Sequence, residues 1–466
     1  METPRHHFLI FFSLLAACTV AEPVENPVDN PVDNPDTDTG EDTDTDPNAA
    51  ARQLDWRLHD DHESLVYVSW LQKAAGEITI EYNLDGQWVS IPTHDGVEGE
   101  NEALVVGIPY DTDADWRLTT SGGEVFDGDT ITTGDLSSGF PLPTVVSGDS
   151  GKWLPGGSYY LGSLTESDGN YWDGRDFWTF IIDREGRVVW ANLTPSQNWT
   201  LFAQVSVSGD HILWDEQTFW SDYDNGAAST VHRTYLDAEI EVIGTPGLQH
   251  SFNELPDGTL AWMSSYHGGS YNESLVERAP GATDVEVVWA CGSWGARDGC
   301  ASNGQFYVAD TDSYLLSFYS NESIVEVSRS TGENLWWAGA RRGGYSFDPP
   351  SAQFAWQHGI SYTDAGTLLV STHNENSTST IVREYAVDHK ERTLTEVWSF
   401  DPEIFGAYNG DAWRLDNGNT LHTVGSAGRV KEATADGEVA WDVNFGGHRL
   451  MGRGELIADL YSLVSP

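Results

Sequence analysis

Two histidines stand in the same local frame. Gln249-His250-Ser251-Phe252-Asn253-Glu254-Leu255-Pro256-Asp257-Gly258 and Gln357-His358-Gly359-Ile360-Ser361-Tyr362-Thr363-Asp364-Ala365-Gly366 each read Gln-His, then a short apolar strand, then a turn whose glycine lies eight residues after the histidine. A neutral imidazole is a good nucleophile near pH 7, and a second one can stabilise charge on a transferring group or serve a leaving oxygen. His250 and His358 are therefore the candidate catalytic pair. His211, His232 and His422 have no such frame and read as packing or surface residues. His373, in Thr372-His373-Asn374-Glu375, suits a ligand-facing and a structural role equally, and is kept among the substrate-binding candidates. No phosphate-cradling glycine loop, Ser-His-Asp arrangement or acidic metal cluster stands out, so no metal site is assigned.

The frames must be carried by repeating elements, and the chain from Asp183 to Gly447 repeats. A turn followed by an apolar run occurs six times, ending at Trp190, Ile243, Trp289, Trp337, Trp398 and Trp441, with spacings of 53, 46, 48, 61 and 43 residues. Such spacings belong to propeller blades or solenoid turns. Between these runs lie second hairpins: Ser208-Gly209 to Trp214, Pro256-Asp257-Gly258 to Met263, Asp310-Thr311-Asp312 to Phe318, Asp364-Ala365-Gly366 to Val370 and Asp416-Asn417-Gly418 to Val424. Asp-Gly and Asn-Gly tolerate positive φ and signal hairpins when apolar residues alternate around them. Each unit thus holds about four strands, the content of one blade. One unit lacks a second hairpin of its own, and Tyr159 to Ile182 can supply those strands from the N-terminal side. The expected architecture is all-β: a six-bladed β-propeller over residues 141–466, closed by exchange of early and late strands. In such a fold the ligand site sits at the central channel, on the loops between blades.

Ahead of it, residues 51–140 alternate apolar and polar positions in Leu65–Trp70, Ile78–Tyr82, Ala103–Ile108 and Trp116–Thr120, with glycine turns between. This predicts a small β-sandwich of fibronectin type III character. Thr133-Gly134 to Pro143 reads as the linker. Residues 1–18 carry Arg5, an apolar run from Phe8 to Leu15 and then Leu15-Ala16-Ala17-Cys18. That is a secretory signal, too short for a mature membrane span. It resembles a bacterial lipoprotein cleavage box, which implies lipidation at Cys18; Thr19, where a retention aspartate could stand, implies the outer membrane by the same resemblance. Residues 19–50 are a tether, with ten acidic and no basic residues between Glu22 and Asn48. Such a segment cannot bury enough apolar surface to offset chain entropy. Asp42, Asp44 and Asp46 lack a rigid frame and read as spacer rather than as a calcium site.

The tether holds −10 of the formal charge of −50, so the acidity is mostly a property of the folded body. It disfavours nucleic acid and anionic membrane surfaces as partners. Oligomeric state has no signature in the sequence. After Cys18 only Cys291 and Cys300 remain, enclosing eight residues. In an exported chain they read as a local disulfide; no Cys-x-x-Cys and no histidine at ligand spacing suggests zinc. Arg329, in a hairpin turn, reads as a solvated surface charge.

The Gln-His frames resemble the Gln/His-His-Asp-(x)-Leu-Pro-Asn/Asp-Gly segments of bacterial arylsulfate sulfotransferases. The likeness spans roughly residues 60 to 461, and includes Ser323-Ile324-Val325-Glu326-Val327-Ser328-Arg329-Ser330-Thr331-Gly332-Glu333 before a tryptophan strand and the closing His448-Arg449 to Leu460-Tyr461. That family implies a six-bladed propeller with an N-terminal β-sandwich and needs no cofactor. In it a histidine attacks the sulfuryl group of an aryl sulfate and passes it to a phenol without the nucleotide sulfate donor. Carried over, His358 resembles the nucleophile and His250 a substrate-binding histidine. The family also uses a His-x-Asn segment and, eighteen residues on, an arginine; here Ala301-Ser302-Asn303 and Tyr319 stand instead. Asn303 and Tyr319 are then expected along the same wall, with Tyr319, Arg341 or Arg342 able to replace the lost cation. Two functions follow: an exported arylsulfate-type sulfotransferase of low activity, or a catalytically degenerate propeller that binds an aromatic or carbohydrate ligand at the cell surface.

Overall fold

Alternation of buried and half-exposed positions builds the first sheets. In Val66–Gln72 every second side chain is buried, and this strand pairs antiparallel with Ala51–Leu58 and Gly99–Val105. A second sheet joins Gln87–Ser90, Gly76–Leu84, Trp116–Thr120 and Val125–Asp127, with His94–Gly96 also on Gly76–Leu84. Trp70, Ile78, Ile80, Tyr82 and Trp116 from the two sheets fill one core between them. The computed structural model describes residues 49–169, 176–194, 198–218, 226–268, 272–294 and 299–466. The expected signal segment, Cys18 and the acidic tether lie outside the described residues.

From residue 144 onward, the described residues form six sheets of four or five strands, ordered along the chain. The first comprises Tyr159–Thr165, Phe177–Asp183 and Val188–Thr194, completed by Glu455–Ile457 from the far end of the chain. The next five have as one edge strand Ala203–Val205, Leu248–Glu254, Ser302–Val308, Ile360–Tyr362 and Asp411–Arg414, and Ser346–Asp348 adds a parallel strand at the other edge of the fifth. Thr144–Gly148 adds a fifth strand to the sixth sheet by pairing with Val439–Asn444. Early and late strands are therefore exchanged in both directions.

Apolar packing joins these sheets in a ring. Leu161 and Trp190 of the first sheet share a core with Ile212 and Trp214 of the second; Leu213 packs with Phe252 and Trp262; Met263 and Trp289 with Leu316 and Phe318; Leu315 and Trp336 with Ile360 and Val370; Leu369 and Val382 with Ala412. The sixth sheet returns to the first through Val430 and Trp441 against Tyr160 and Phe180. The result is a β-propeller-like ring. Leu65 and Val106 of the sandwich enter the first of these cores, and Asp46–Pro466 form one compact unit.

The recurring tryptophan has a structural reason. The indole N–H donates to the turn or start of the neighbouring sheet's outer strand: Trp190 to the Leu236 carbonyl at 2.9 Å, Trp289 to Asn334 Oδ1 at 2.9 Å, Trp398 to the Ala435 carbonyl at 2.8 Å, and Trp441 to the Arg184 carbonyl at 2.9 Å. The ring supplies apolar bulk and its one polar atom latches the next sheet. In the fourth sheet the buried residue is Trp336 rather than the expected Trp337, and its N–H stays within the sheet on Glu326. Arg329 is likewise not a free surface charge. Its guanidinium grips Glu277 of the third sheet with two bonds of 2.8 and 2.9 Å, because a fork of donors matches a carboxylate. Cys291 and Cys300 are joined by a disulfide, with Cα atoms 5.8 Å apart, in the connection from the third sheet to the fourth.

Candidate functional site

Each of the six sheets sends the start of one edge strand, Glu455–Ile457 in the first sheet, to one point. There a hollow of about 40 Å³ is lined by Phe202, His250, Asn303, His358, Asp411 and Arg453, one from each sheet or the residue leading into it. Above it, a larger chamber of about 410 Å³ is walled by Trp199, Leu201, Tyr319, Trp356, Tyr408 and Leu450, with the same two histidines at the junction. Trp356 and Tyr408 remain about half exposed, at 49% and 55%, so two aromatic rings rim the opening.

The local backbone explains how the histidines get there. His250 sits in a register break of its strand, between Leu248 and Phe252, at φ 65°. This left-handed conformation is costly for a residue with a Cβ, and the neighbours hold it in place. Gln217 clamps both backbone groups of His250: its Oε1 accepts from the His250 N–H at 3.0 Å and its Nε2 donates to the His250 carbonyl at 3.3 Å. Trp356 and Asn409, also lining the chamber, share the conformation at φ 54° and 55°. His358 donates its backbone N–H to the Ser371 carbonyl at 3.1 Å. A Cβ on Gly359 would lie 2.2 Å from Asp411 Oδ1, and one on Gly304 would lie 2.2 Å from the His358 carbonyl oxygen. Only glycine lets these strands crowd so closely around the axis.

The two imidazole rings have centroids 6.3 Å apart. Burial, reinforced by the nearby His358, pushes His250 down to about 3. Burial, reinforced by His373 and opposed by a backbone bond with Trp356, pushes His358 down to about 4. Both are neutral at pH 7, the protonation state a nitrogen nucleophile needs. Asp411 is pushed up to about 6 by burial, against the pull of Arg453.

The remaining expected site residues separate. Tyr319 belongs to the larger chamber, its ring 6.2 Å from that of His250. Asn303 lines the smaller hollow, and its amide is tied down: Nδ2 donates to the Gln357 carbonyl at 2.6 Å and Oδ1 accepts from Ser317 at 2.8 Å. The two do not share one wall, because Asn303 lies within Ser302–Val308 whereas Tyr319 sits in the turn after Ser313–Phe318, so they line different cavities. His373 lines neither cavity; Nε2 meets the Gly406 carbonyl at 3.1 Å and the ring packs 4.9 Å from Phe405. It touches the pair only through its field on His358. Arg341 does not replace the lost cation either, since it stacks over Trp294 at 4.2 Å and donates to the Trp294 carbonyl at 2.7 Å; Arg342 lines neither cavity.

The cation that does reach the hollow is Arg453, which sequence reasoning missed. The available signal was Gly452-Arg453-Gly454, a charge held between two glycines just before the closing strand. The rim residues Trp356 and Tyr408 were missed as well, although Trp356 directly precedes the second Gln-His frame. Among the described residues no group of three His, Cys, Asp or Glu is arranged to hold a metal ion.

Residues 307–446 match the family model described as arylsulfotransferase (ASST). No curated protein sequence matches the chain. Among solved structures, a protein of unknown function from Bacteroides caccae is 13% identical, covering 64% of this chain and 99% of that one, with a TM-score of 0.43. The periplasmic gluconolactonase of Pseudomonas aeruginosa is 12% identical over 82% of this chain and 99% of its own, with a TM-score of 0.40. The Cps50 (Swd1) β-propeller domain of Myceliophteria thermophila is 12% identical over 64% of this chain and 88% of its own, with a TM-score of 0.38.

Proposed function

We propose, for a chain whose residues 307–446 match the arylsulfotransferase family model, that it moves a sulfuryl group from an aryl sulfate to a phenol through His358. The observation that carries this reading is the pair of neutral imidazoles, 6.3 Å apart, at the base of an aromatic chamber. The aryl ring of the donor stacks among Trp199, Tyr319, Trp356 and Tyr408, and its sulfuryl group points down to the histidines. The lone pair of a His358 ring nitrogen attacks sulfur, the bond from sulfur to the aryl oxygen breaks, and the phenolate leaves with that electron pair. His250 and the Tyr319 hydroxyl face the departing oxygen and donate to it; the phenolate then takes a proton from water. In the second half an acceptor phenol oxygen attacks the same sulfur, the nitrogen–sulfur bond breaks back to a neutral imidazole, and the acceptor proton passes to water. No nucleotide or metal enters the balance.

In this reading the six sheets are the six blades of a propeller over residues 141–466, residues 51–140 are a fibronectin III-like sandwich that packs against it, and Cys18 is a lipid anchor for an outer-membrane protein whose sole membrane contact is that anchor. Turnover of 4-nitrophenyl sulfate with phenol as acceptor, lost in His358→Ala together with a sulfuryl adduct on that residue detected by mass spectrometry, is the expected result. Full activity in His358→Ala would end the proposal. The anchor is tested separately: detergent-phase partitioning that survives Cys18→Ser would exclude it.

A second reading has its own support. Tyr319 stands where the family has an arginine, and an aromatic rim over two neutral imidazoles also suits simple capture of an aromatic ligand. Tight binding of 4-nitrophenol with no turnover of its sulfate ester would select it.

A further inference from the structure

Arg184, Arg233 and Arg453 are three poorly exposed arginines of the ring, and their guanidinium donors are used differently. Arg184 is built into the frame: it donates to Glu432 at 2.8 Å and to the Gly157 carbonyl at 2.6 Å. Arg233 does the same with Glu254 at 3.0 Å and the Gly258 carbonyl at 2.7 Å. Arg453 is held differently. Its side chain is 11% exposed, and its ion pair with Asp411 is loose, 3.4 Å from Nε to Oδ2. Nε makes no hydrogen bond among the described residues. The guanidinium lies instead over two rings, 3.5 Å from the centroid of Trp413 and 4.6 Å from that of Phe202. Stacking fixes its plane without using its donors. A buried guanidinium with donors to spare is expensive unless an anion completes it.

The hollow it lines is small. Since a water needs about 10–15 Å³ of this kind of space, about 40 Å³ has room for the oxygens of one tetrahedral anion but not for an aromatic ring. The histidines divide this hollow from the aromatic chamber, so a donor placed across them puts its ring above and its oxygens below.

We propose that Arg453 holds the sulfuryl oxygens, a cation supplied from the closing strand in place of the arginine that this chain lacks at Tyr319. The inference deepens the sulfuryl-transfer reading and rests on it for the identity of the anion. Asp411 is the carboxylate that the incoming anion displaces from Arg453, and the planar fork of donors then meets two oxygens at once.

The test uses the full chain and inorganic sulfate as probe, measured by calorimetry, beside the KM and kcat for 4-nitrophenyl sulfate. Arg453→Gln should weaken sulfate binding about 10- to 100-fold, raise the KM for the ester to match, and leave the affinity for phenol alone unchanged. Arg453→Lys, which keeps the charge and loses the fork, should fall between. Asp411→Asn removes the competing carboxylate and should tighten sulfate; this arm stands even where Arg453→Gln does not fold. Unchanged sulfate affinity in Arg453→Gln, an equal loss of phenol and sulfate binding, or weaker sulfate binding in Asp411→Asn would each overturn the assignment. Sulfate binding that depends on Arg453 in a protein without turnover would uphold the anion site and refute the transfer reading.

Discussion

His250 and His358 hold their rings at a centroid distance of 6.3 Å and an interplanar angle of 50°, both partly buried where the two cavities meet. Two imidazoles so close cannot both take a proton cheaply, and burial already disfavours the first. The pair therefore titrates well below the ordinary histidine range of about 6.5. The expected pH dependence of kcat/KM is flat through pH 6.5, with an acid limb near pH 4, the position of His358. A profile with 4-nitrophenyl sulfate that bends near 6.5 would mean that an exposed histidine, and not this pair, does the chemistry.

The rim gives a prediction on binding rather than on chemistry. Trp356 and Tyr408 are large rings left about half exposed at the chamber mouth, a placement that folding alone does not favour. An aromatic stacking contact contributes about 0.5–1.5 kcal/mol. Trp356→Ala and Tyr408→Ala should each raise the KM for an aryl sulfate about 2- to 10-fold and leave kcat nearly constant. The steady-state comparison across small and extended aryl donors checks it: the effect must grow with the ring system. A fall in kcat with KM unchanged would place these rings in the chemical step instead.

The sheet pattern was legible in the sequence because its signals are local. Gly258, Gly366, Gly418 and Gly437 all take positive φ in the turns where Asp-Gly, Ala-Gly or Asn-Gly had marked them, and the tryptophans recur because Trp190, Trp289, Trp398 and Trp441 each latch a neighbouring sheet. The two Gln-His frames were legible for the same reason, as equivalent starts of sheets. Arg453 was not, since its position follows from a pairing between Tyr159–Leu161 and Glu455–Ile457 that spans the whole ring, and the flanking glycines Gly452 and Gly454 do not by themselves disclose that pairing. The fates of Arg329 and Arg341 were equally hidden: Glu277 and Trp294, their partners, lie on the neighbouring sheet or in the connection leaving it. A charge is read as solvated until the element that covers it is known.

The disulfide should matter for stability. Cys291 and Cys300 are fully buried beside Trp289 and Trp294 and close a loop of nine residues' separation. On loop-entropy grounds such a cross-link contributes about 2–3 kcal/mol. In a ring this large, where the unfolding entropy is high, that is a Tm change of about 2–4 °C. Reduction, or Cys291→Ala with Cys300→Ala, should lower Tm by that amount in a thermal scan. No shift on reduction would mean that the packing of Trp289 and Trp294 holds the connection without the bond.

Glu273 offers a test of the buried polar frame that positions His250. Its carboxyl accepts from Ser302 at 3.1 Å from the backbone and 2.6 Å from the hydroxyl, and it meets Gln249 Nε2, while Gln249 Oε1 has no partner among the described residues. Burial pushes this carboxyl up to about 8, and the Ser302 bonds only partly oppose it. The folded value lies above the unfolded one of about 4.5, so the group's contribution is complete below pH 4.5 and is lost as pH rises through 8. Glu273→Gln removes that loss. Its amide can donate to Gln249 Oε1 once the Gln249 side chain turns over, and its carbonyl keeps the Ser302 bonds. The variant should therefore match the wild type near pH 4.5 and exceed it in Tm increasingly up to about pH 8, above which the difference levels off, with His250 still in place. A Tm difference that is constant across this range would show that Glu273 is ionised in the folded protein and that Gln249 is held by a charge.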